Sequence, residues 1–190
     1  TKKAMSCYKK AADQGHAQAA FYLGFVDALA YYNQVSNMID VNILPPVFSL
    51  KSFPGSDPLV HIAVDVKGKN IKHRNLILSV VFYYDNGDNL QGPLAAEYNT
   101  PIDCNLNGML GSTSNLYSTV NDNTFNNIFM FPSQSLWPYP EYRGSILILA
   151  HMEICEIANN GEPIPHTSAD YRFTLECRSG FLGFPKFKIL

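Results

Sequence analysis

The chain has 190 residues, 46% of them apolar and 16% charged, with 14 basic against 16 acidic side chains and a formal charge of −2. That length can bury a real core, and that composition is globular rather than disordered. Nearly balanced charge with no long basic run removes the electrostatic case for nucleic acid, and no apolar run approaches the ~20 residues that a membrane-crossing helix needs.

In chain order, residues 1–38 are predicted to be helical. Ala, Leu, Lys and Gln dominate there, and Ala4, Tyr8, Ala11 and Ala12 recur at helical spacing. Gly15 breaks the run, and Ala17, Ala20, Phe21, Gly24, Phe25 and Ala28 make a second stripe three and four apart. Two helices around a glycine-centred turn form an antiparallel hairpin. A hairpin this small is not stable alone and normally stacks on a neighbour of its own kind.

The stretch YKKAADQGHAQAAFYLG resembles the Sel1-like repeat, a relative of the tetratricopeptide repeat, through Tyr8, Ala11, Ala12, Gly15, Ala17, Ala20, Leu23 and Gly24. The resemblance covers about 25 residues, and the sequence after Gly24 departs from it. It implies the last copy of an array, with scaffolding or adaptor work in a bacterial cell or envelope. The chain opens on Thr rather than Met and shows no apolar stretch behind the charges of TKKAMSCYKK. We therefore expect a fragment of a longer protein, with no signal peptide within it and no compartment assigned.

Residues 39–58 carry Pro45, Pro46, Pro54 and Pro58, too many for a helix, and are predicted to be a linker with one edge strand near 47–50. From residue 59 the period changes to two. Val60, Ile62, Val64 and Val66 alternate with His61, Ala63 and Asp65, and NLILSVVFYYDNGDNL runs into Asn86-Gly87, a hairpin dipeptide. NTFNNIFMFP, SLWPY, GSILILAHMEICEI and DYRFTLECR are further predicted strands, the last with Tyr171, Phe173, Leu175 and Cys177 on one side; NNGEPIPHTS between the last two is predicted to be a loop. Six or seven such strands without helices between them predict an antiparallel β-sandwich over 59–190, immunoglobulin-like or C2-like. With the hairpin at 1–38, the expected class is α+β.

Chemistry is sparse. Asp85 and Asp88 flank a turn, with Asp103 and Asp122 in other loops, but turn geometry explains the acids better than calcium does. His16, His61, His73, His151 and His166 show no metal-ligand spacing, and the serines of GSTSNL and PSQSL match no nucleophile elbow. Cys104 is the thiol to check against a histidine. Glu153 and Glu156 bracket Cys155 and are expected on one solvated strand face. A Cys155–Cys177 bridge is conceivable from neighbouring strands, with free buried thiols as the default.

The aromatic cluster Phe129, Phe131, Trp137, Tyr139 and Tyr142, interleaved with prolines, is the candidate binding surface, weighed against a role in capping the core. We expect a non-enzymatic protein–protein interaction or scaffold module that binds a partner protein and needs no cofactor or metal. The alternative is a carbohydrate-binding sandwich that stacks sugars on Trp137, Tyr139 and Tyr142; it needs those rings open and coplanar.

Overall fold

The computed structural model describes residues 6, 7, 10, 39–54, 56–85, 90–94, 104–106, 108–137, 142–157, 163–180 and 185–190. The chain divides into two units, Thr1–Ile39 and Asp40–Leu190. The described strands all belong to the second: β1 (Asp40–Ile43), β2 (Val47–Lys51), β3 (Leu59–Lys69), β4 (Leu76–Asp85), β5 (Leu90–Pro93), β6 (Asn105–Leu106), β7 (Met109–Leu116), β8 (Asn123–Pro132), β9 (Gly144–Ile157), β10 (Pro163–Ser179) and β11 (Pro185–Ile189).

These strands make two antiparallel sheets. In the small sheet β3 is central. On one side it pairs with β8 along 59–68. On the other side β2 opposes its first half and β1 its second half, so β1 and β2 are two pieces of one edge. The break falls at Leu44, Pro45 and Pro46, where only the Leu44 N–H continues the ladder, donating to Asp65 O at 2.9 Å. Proline has no N–H to give and is tolerated on such an edge. The large sheet runs β11-β10-β9-β4-β7-β6, with β5 extending along the end of β4.

Alternation decides which side chains meet between the sheets. Val60, Ile62, Val64 and Val66 of β3, with Phe129 and Phe131 of β8, face Leu78, Val80 and Phe82 of β4, Ile148, Met152 and Ile154 of β9, and Phe173 and Leu175 of β10; all are buried. Two ring contacts cross the interface. Phe82 meets Phe131 edge-on at 4.7 Å, and Phe48 of β2 stacks on Phe173 at 4.5 Å. Each such side chain contributes about 1.5–3 kcal/mol on burial, so this layer holds the two sheets together.

Two close approaches set the strand geometry locally. Gly111 of β7 lies against β4, where a Cβ would come 2.5 Å from Val80 O, so only glycine allows that strand spacing. Gly108, between the paired Leu106 and Met109, has φ +84°, the left-handed backbone that a two-residue hairpin loop requires.

Several expectations are corrected here. The described elements are all strands, so the α+β class gives way to a mainly antiparallel β fold, and nothing described supports a Sel1-like helical hairpin. That hairpin's positions, apart from Ser6, Cys7 and Lys10, lie outside the described residues. The sheets count four and seven strands, against the four and three of an immunoglobulin constant-type sandwich, and no observation carries the C2-like alternative. The proposed linker at 39–58 supplies β1 and β2, because prolines that forbid a helix do not forbid a broken edge strand. Of the predicted strand at SLWPY, Ser135 and Leu136 lie in a turn over residues 133–136 and residues 138 and 139 are outside the described residues, whereas residues 163–168 of the predicted loop are the start of β10.

Glu153 and Glu156 lie on opposite faces, since three positions is an odd step along a strand. Glu153 sits opposite Ser79 and Glu156 opposite Leu76. All four cysteines are free. Cys155 is paired with Ile77 near one end of β9, and Cys177 with Gly144 at the other end, so no bridge can form between them.

Candidate functional site

The aromatic cluster separates when the chain folds. Phe129 and Phe131 point inward from β8 and are core. Trp137 is 6% exposed, stacked under Tyr142 at 5.8 Å and 15° and met edge-on by Phe187 at 5.9 Å. Tyr142 is 47% exposed, and Tyr139 lies outside the described residues. Three of the five rings therefore build the interior, and Tyr142 is a lid over Trp137 rather than a member of an open platform.

The open apolar surface lies elsewhere, on the outer face of the small sheet. Register brings Val47 of β2, Ala63 of β3 and Ile128 of β8 into one row across all three strand positions. The next row holds Ser49, His61 and Met130, and the one after it Lys51, Leu59 and Pro132. Val47 is 65% exposed, Ile128 61% and Met130 49%. An antiparallel sheet with one wet face should carry polar residues at these positions. Towards the other end the face turns polar: Asp65 accepts from Asn126 Nδ2 at 2.7 Å, and Lys67 and Thr124 follow. Apolar and polar halves thus share one sheet face, with His61 and Ser49, 3.4 Å apart, inside the apolar half.

The outer face of the large sheet is built differently. Asp85 has a buried side chain, and Arg172 Nε donates to its carboxylate from two strands away. His151 Nδ1 and Asp170 Oδ1 are 2.7 Å apart on paired residues of β9 and β10, and the Tyr83 ring meets the imidazole edge-on. Cys155 lies on this face too, its thiol pushed above the usual range by burial first and then by the neighbouring Glu153 carboxylate. On the opposite face of β9, at its end, Arg74 binds Glu156 at 3.0 Å, and His166 Nε2 lies 3.3 Å from the same carboxylate.

Among the described residues one serine hydroxyl–imidazole approach, Ser49 with His61, lies on the small sheet's open face, and the imidazole–carboxylate contacts His151–Asp170 and His166–Glu156 lie between β9 and β10. Cys104 is buried and donates its thiol to Met130 O at 3.4 Å. Asp85, read as a calcium candidate, is paired with Arg172, and Asp88 and Asp103 are outside the described residues. Groups of three or more His, Cys, Asp or Glu able to hold a metal ion are absent among the described residues. No described helix is long and apolar enough to cross a membrane.

Val47, Ile128 and Met130 were not singled out by the sequence. The signal was present in NNIFMFP, where Phe129 and Phe131 take one phase of the strand and Ile128 and Met130 the other. A strand that is apolar in both phases has more greasy surface than one core can cover.

No protein-family model matches the chain, and no curated protein matches it. That finding, with no helix among the described elements, leaves the Sel1-like resemblance of residues 8–24 unsupported. Among solved structures the chain is similar to one titled "X-ray structure of Northeast Structural Genomics Consortium target SoR45", at 10% sequence identity over 73% of this chain and 87% of that chain, with a TM-score of 0.29. An overlay that weak carries no argument about fold or function.

Proposed function

We propose that the sandwich is a non-enzymatic protein-binding module that takes its partner on the apolar half of the small sheet's outer face. The observation that supports this is the in-register row Val47, Ala63 and Ile128, with Met130 beside it, left open to water. Contiguous apolar surface on a globular protein costs solubility and marks an interaction site, whereas scattered single apolar residues do not. Methionine and isoleucine give a deformable, greasy contact, and Lys51, Asp65 and Lys67 flank it with charge that can orient a partner.

The carbohydrate alternative has no comparable support, because the ring it relies on most, Trp137, is closed over by Tyr142. The test is affinity capture from the source cells with the full chain and with the double variant Ile128→Lys, Met130→Lys. The wild type should retain a defined protein partner and the variant should lose it, with far-ultraviolet circular dichroism and melting unchanged. Recovery of the same partners by both proteins, or of none by the wild type, contradicts the proposal.

A further inference from the structure

The apolar row on the small sheet runs out to that sheet's β8 edge, where the backbone is as informative as the side chains. Leu44 N–H donates to Asp65 O, so Asp65 turns its backbone groups toward β1 and β2. By alternation Val60, Ile62, Val64 and Val66 turn theirs toward β8, to their register partners Phe131, Phe129, Asn127 and Phe125. Ser133 N–H, donating to Pro58 O at 3.0 Å, continues the same phase. The intervening residues Thr124, Asn126, Ile128 and Met130 therefore point their N–H and C=O groups away from β3. Among the described strands, β3 alone pairs with β8.

This edge has defined ends. At one, Met130 O accepts the Cys104 thiol at 3.4 Å, and Pro132 has no N–H. At the other, Thr124 N–H donates to Asn123 Oδ1 at 2.9 Å. Between them lie Met130 N–H, both backbone groups of Ile128 and of Asn126, and Thr124 O, all on exposed residues. The stretch Thr124–Met130 carries no proline, no lysine and no register shift, the devices that keep foreign strands off an edge. The same residues send their side chains to the outer face, because backbone and side-chain phases are locked together in a strand. Ile128 thus ends the row Val47, Ala63, Ile128 and stands at the edge with its own donor and acceptor facing outward.

We propose that the partner of the apolar face enters as an extended peptide segment that pairs antiparallel with β8 over Thr124–Met130 and adds a strand to the small sheet. This inference rests on the proposed function and names the form its partner takes. Donors and acceptors alternating at strand spacing are matched by another extended backbone, whereas a helix already satisfies its own groups. The residue opposite Ile128 exchanges both backbone hydrogen bonds with it and sets its side chain beside Ile128 on the outer face. An apolar β-branched residue there, and another facing Met130, would lengthen the greasy surface. Facing Asn126, which donates to Asp65, and Thr124, which is paired with Lys67, the segment would carry polar residues.

The probe is a short synthetic peptide with Val and Ile at the alternate positions that face Met130 and Ile128, Thr elsewhere and Lys at each end. Titrated into the full chain, it should bind saturably, and the amides of Asn126 and Ile128 should gain protection from hydrogen exchange. N-methylation of the peptide residues whose N–H faces β8 should weaken binding by at least about tenfold, the worth of one or two backbone hydrogen bonds. Methylation of the residues between them should leave binding unchanged. Asn126→Pro removes an N–H that no bond to β3 uses and should weaken binding comparably while the protein still melts as a folded chain; should that variant not fold, the two methylated peptides carry the test. Absence of saturable binding, protection only of other amides, or equal affinity of the two methylated peptides would each overturn the proposal. A captured partner lost by Ile128→Lys, Met130→Lys but kept by Asn126→Pro would overturn strand addition and leave the proposed function standing. Peptide pairing at β8 with no protein partner captured would instead count against the proposed function alone.

Discussion

The two outer faces of this sandwich differ although the same alternation rule produced both. On the large sheet, positions that point to water are joined across strands by Arg172–Asp85 and His151–Asp170. On the small sheet, Val47, Ile128 and Met130 point to water with nothing described over them. Both sheets also present apolar inner faces to one core, so the contrast lies in the outward phase, where the large sheet's apolar residues Val81 and Leu149 are buried among the paired charges. Folding requires a greasy inner face and tolerates a polar outer one; an apolar outer face adds little to stability and is explained better by contact with something else.

The largest effect is expected where the two regions share a cause. Phe131→Ala removes the ring that meets Phe82 across the core and should cost about 3–5 kcal/mol in urea unfolding; a loss under ~1 kcal/mol would mean the sheets do not meet through these rings. Next comes the polar face. Arg172→Met leaves the buried Asp85 carboxylate without that donor and should cost about 1–3 kcal/mol by the same measurement. The apolar face should then be nearly silent: Ile128→Lys and Val47→Thr should each shift stability by no more than about 0.5 kcal/mol. If Ile128→Lys cost as much as Arg172→Met, the small sheet's outer face would be a structural layer, and the contrast between the faces would be lost.

The smallest effect is kinetic. Cys155 has its pKa raised by burial and then by Glu153, so less thiolate is present at any given pH and alkylation should lag that of an unhindered thiol, catching up only at higher pH. Glu153→Gln removes the charge component and should move the pH profile part of the way back. An unchanged profile would locate the whole effect in burial.

Much of the β unit was legible in the sequence. β8 and β9 coincide with NTFNNIFMFP and GSILILAHMEICEI, and Tyr171, Phe173, Leu175 and Cys177 share a face as their spacing requires. Strict period-two alternation with β-branched residues leaves little choice of structure. Where alternation is short or interrupted, it misleads. β1 and β2 were hidden by Pro45 and Pro46, since a proline run is the usual mark of a linker. β7 was passed over because MLGSTSNL reads as a polar loop, though Leu110 and Leu116 anchor it in the core and Asn107-Gly108 before it is a hairpin dipeptide.

The candidate site was less legible still, because which apolar phase of a strand faces water depends on the register of its neighbours. Phe129, Phe131 and Trp137 attracted notice as aromatics and are core; Ile128 and Met130, between them in sequence, are the exposed residues. The 8–24 motif shows the opposite hazard. Small residues at matching intervals made a family pattern over a short stretch, and nothing over the rest of the chain upheld it.

The most direct measurement is methyl nuclear magnetic resonance of the full chain titrated with the captured partner. Signals from Val47, Ile128 and Met130 should shift first and most, while Val81 and Leu149 on the large sheet's outer side stay still. Shifts confined to the large sheet, with the three small-sheet methyls unmoved, would contradict the proposal that the apolar face takes a protein partner.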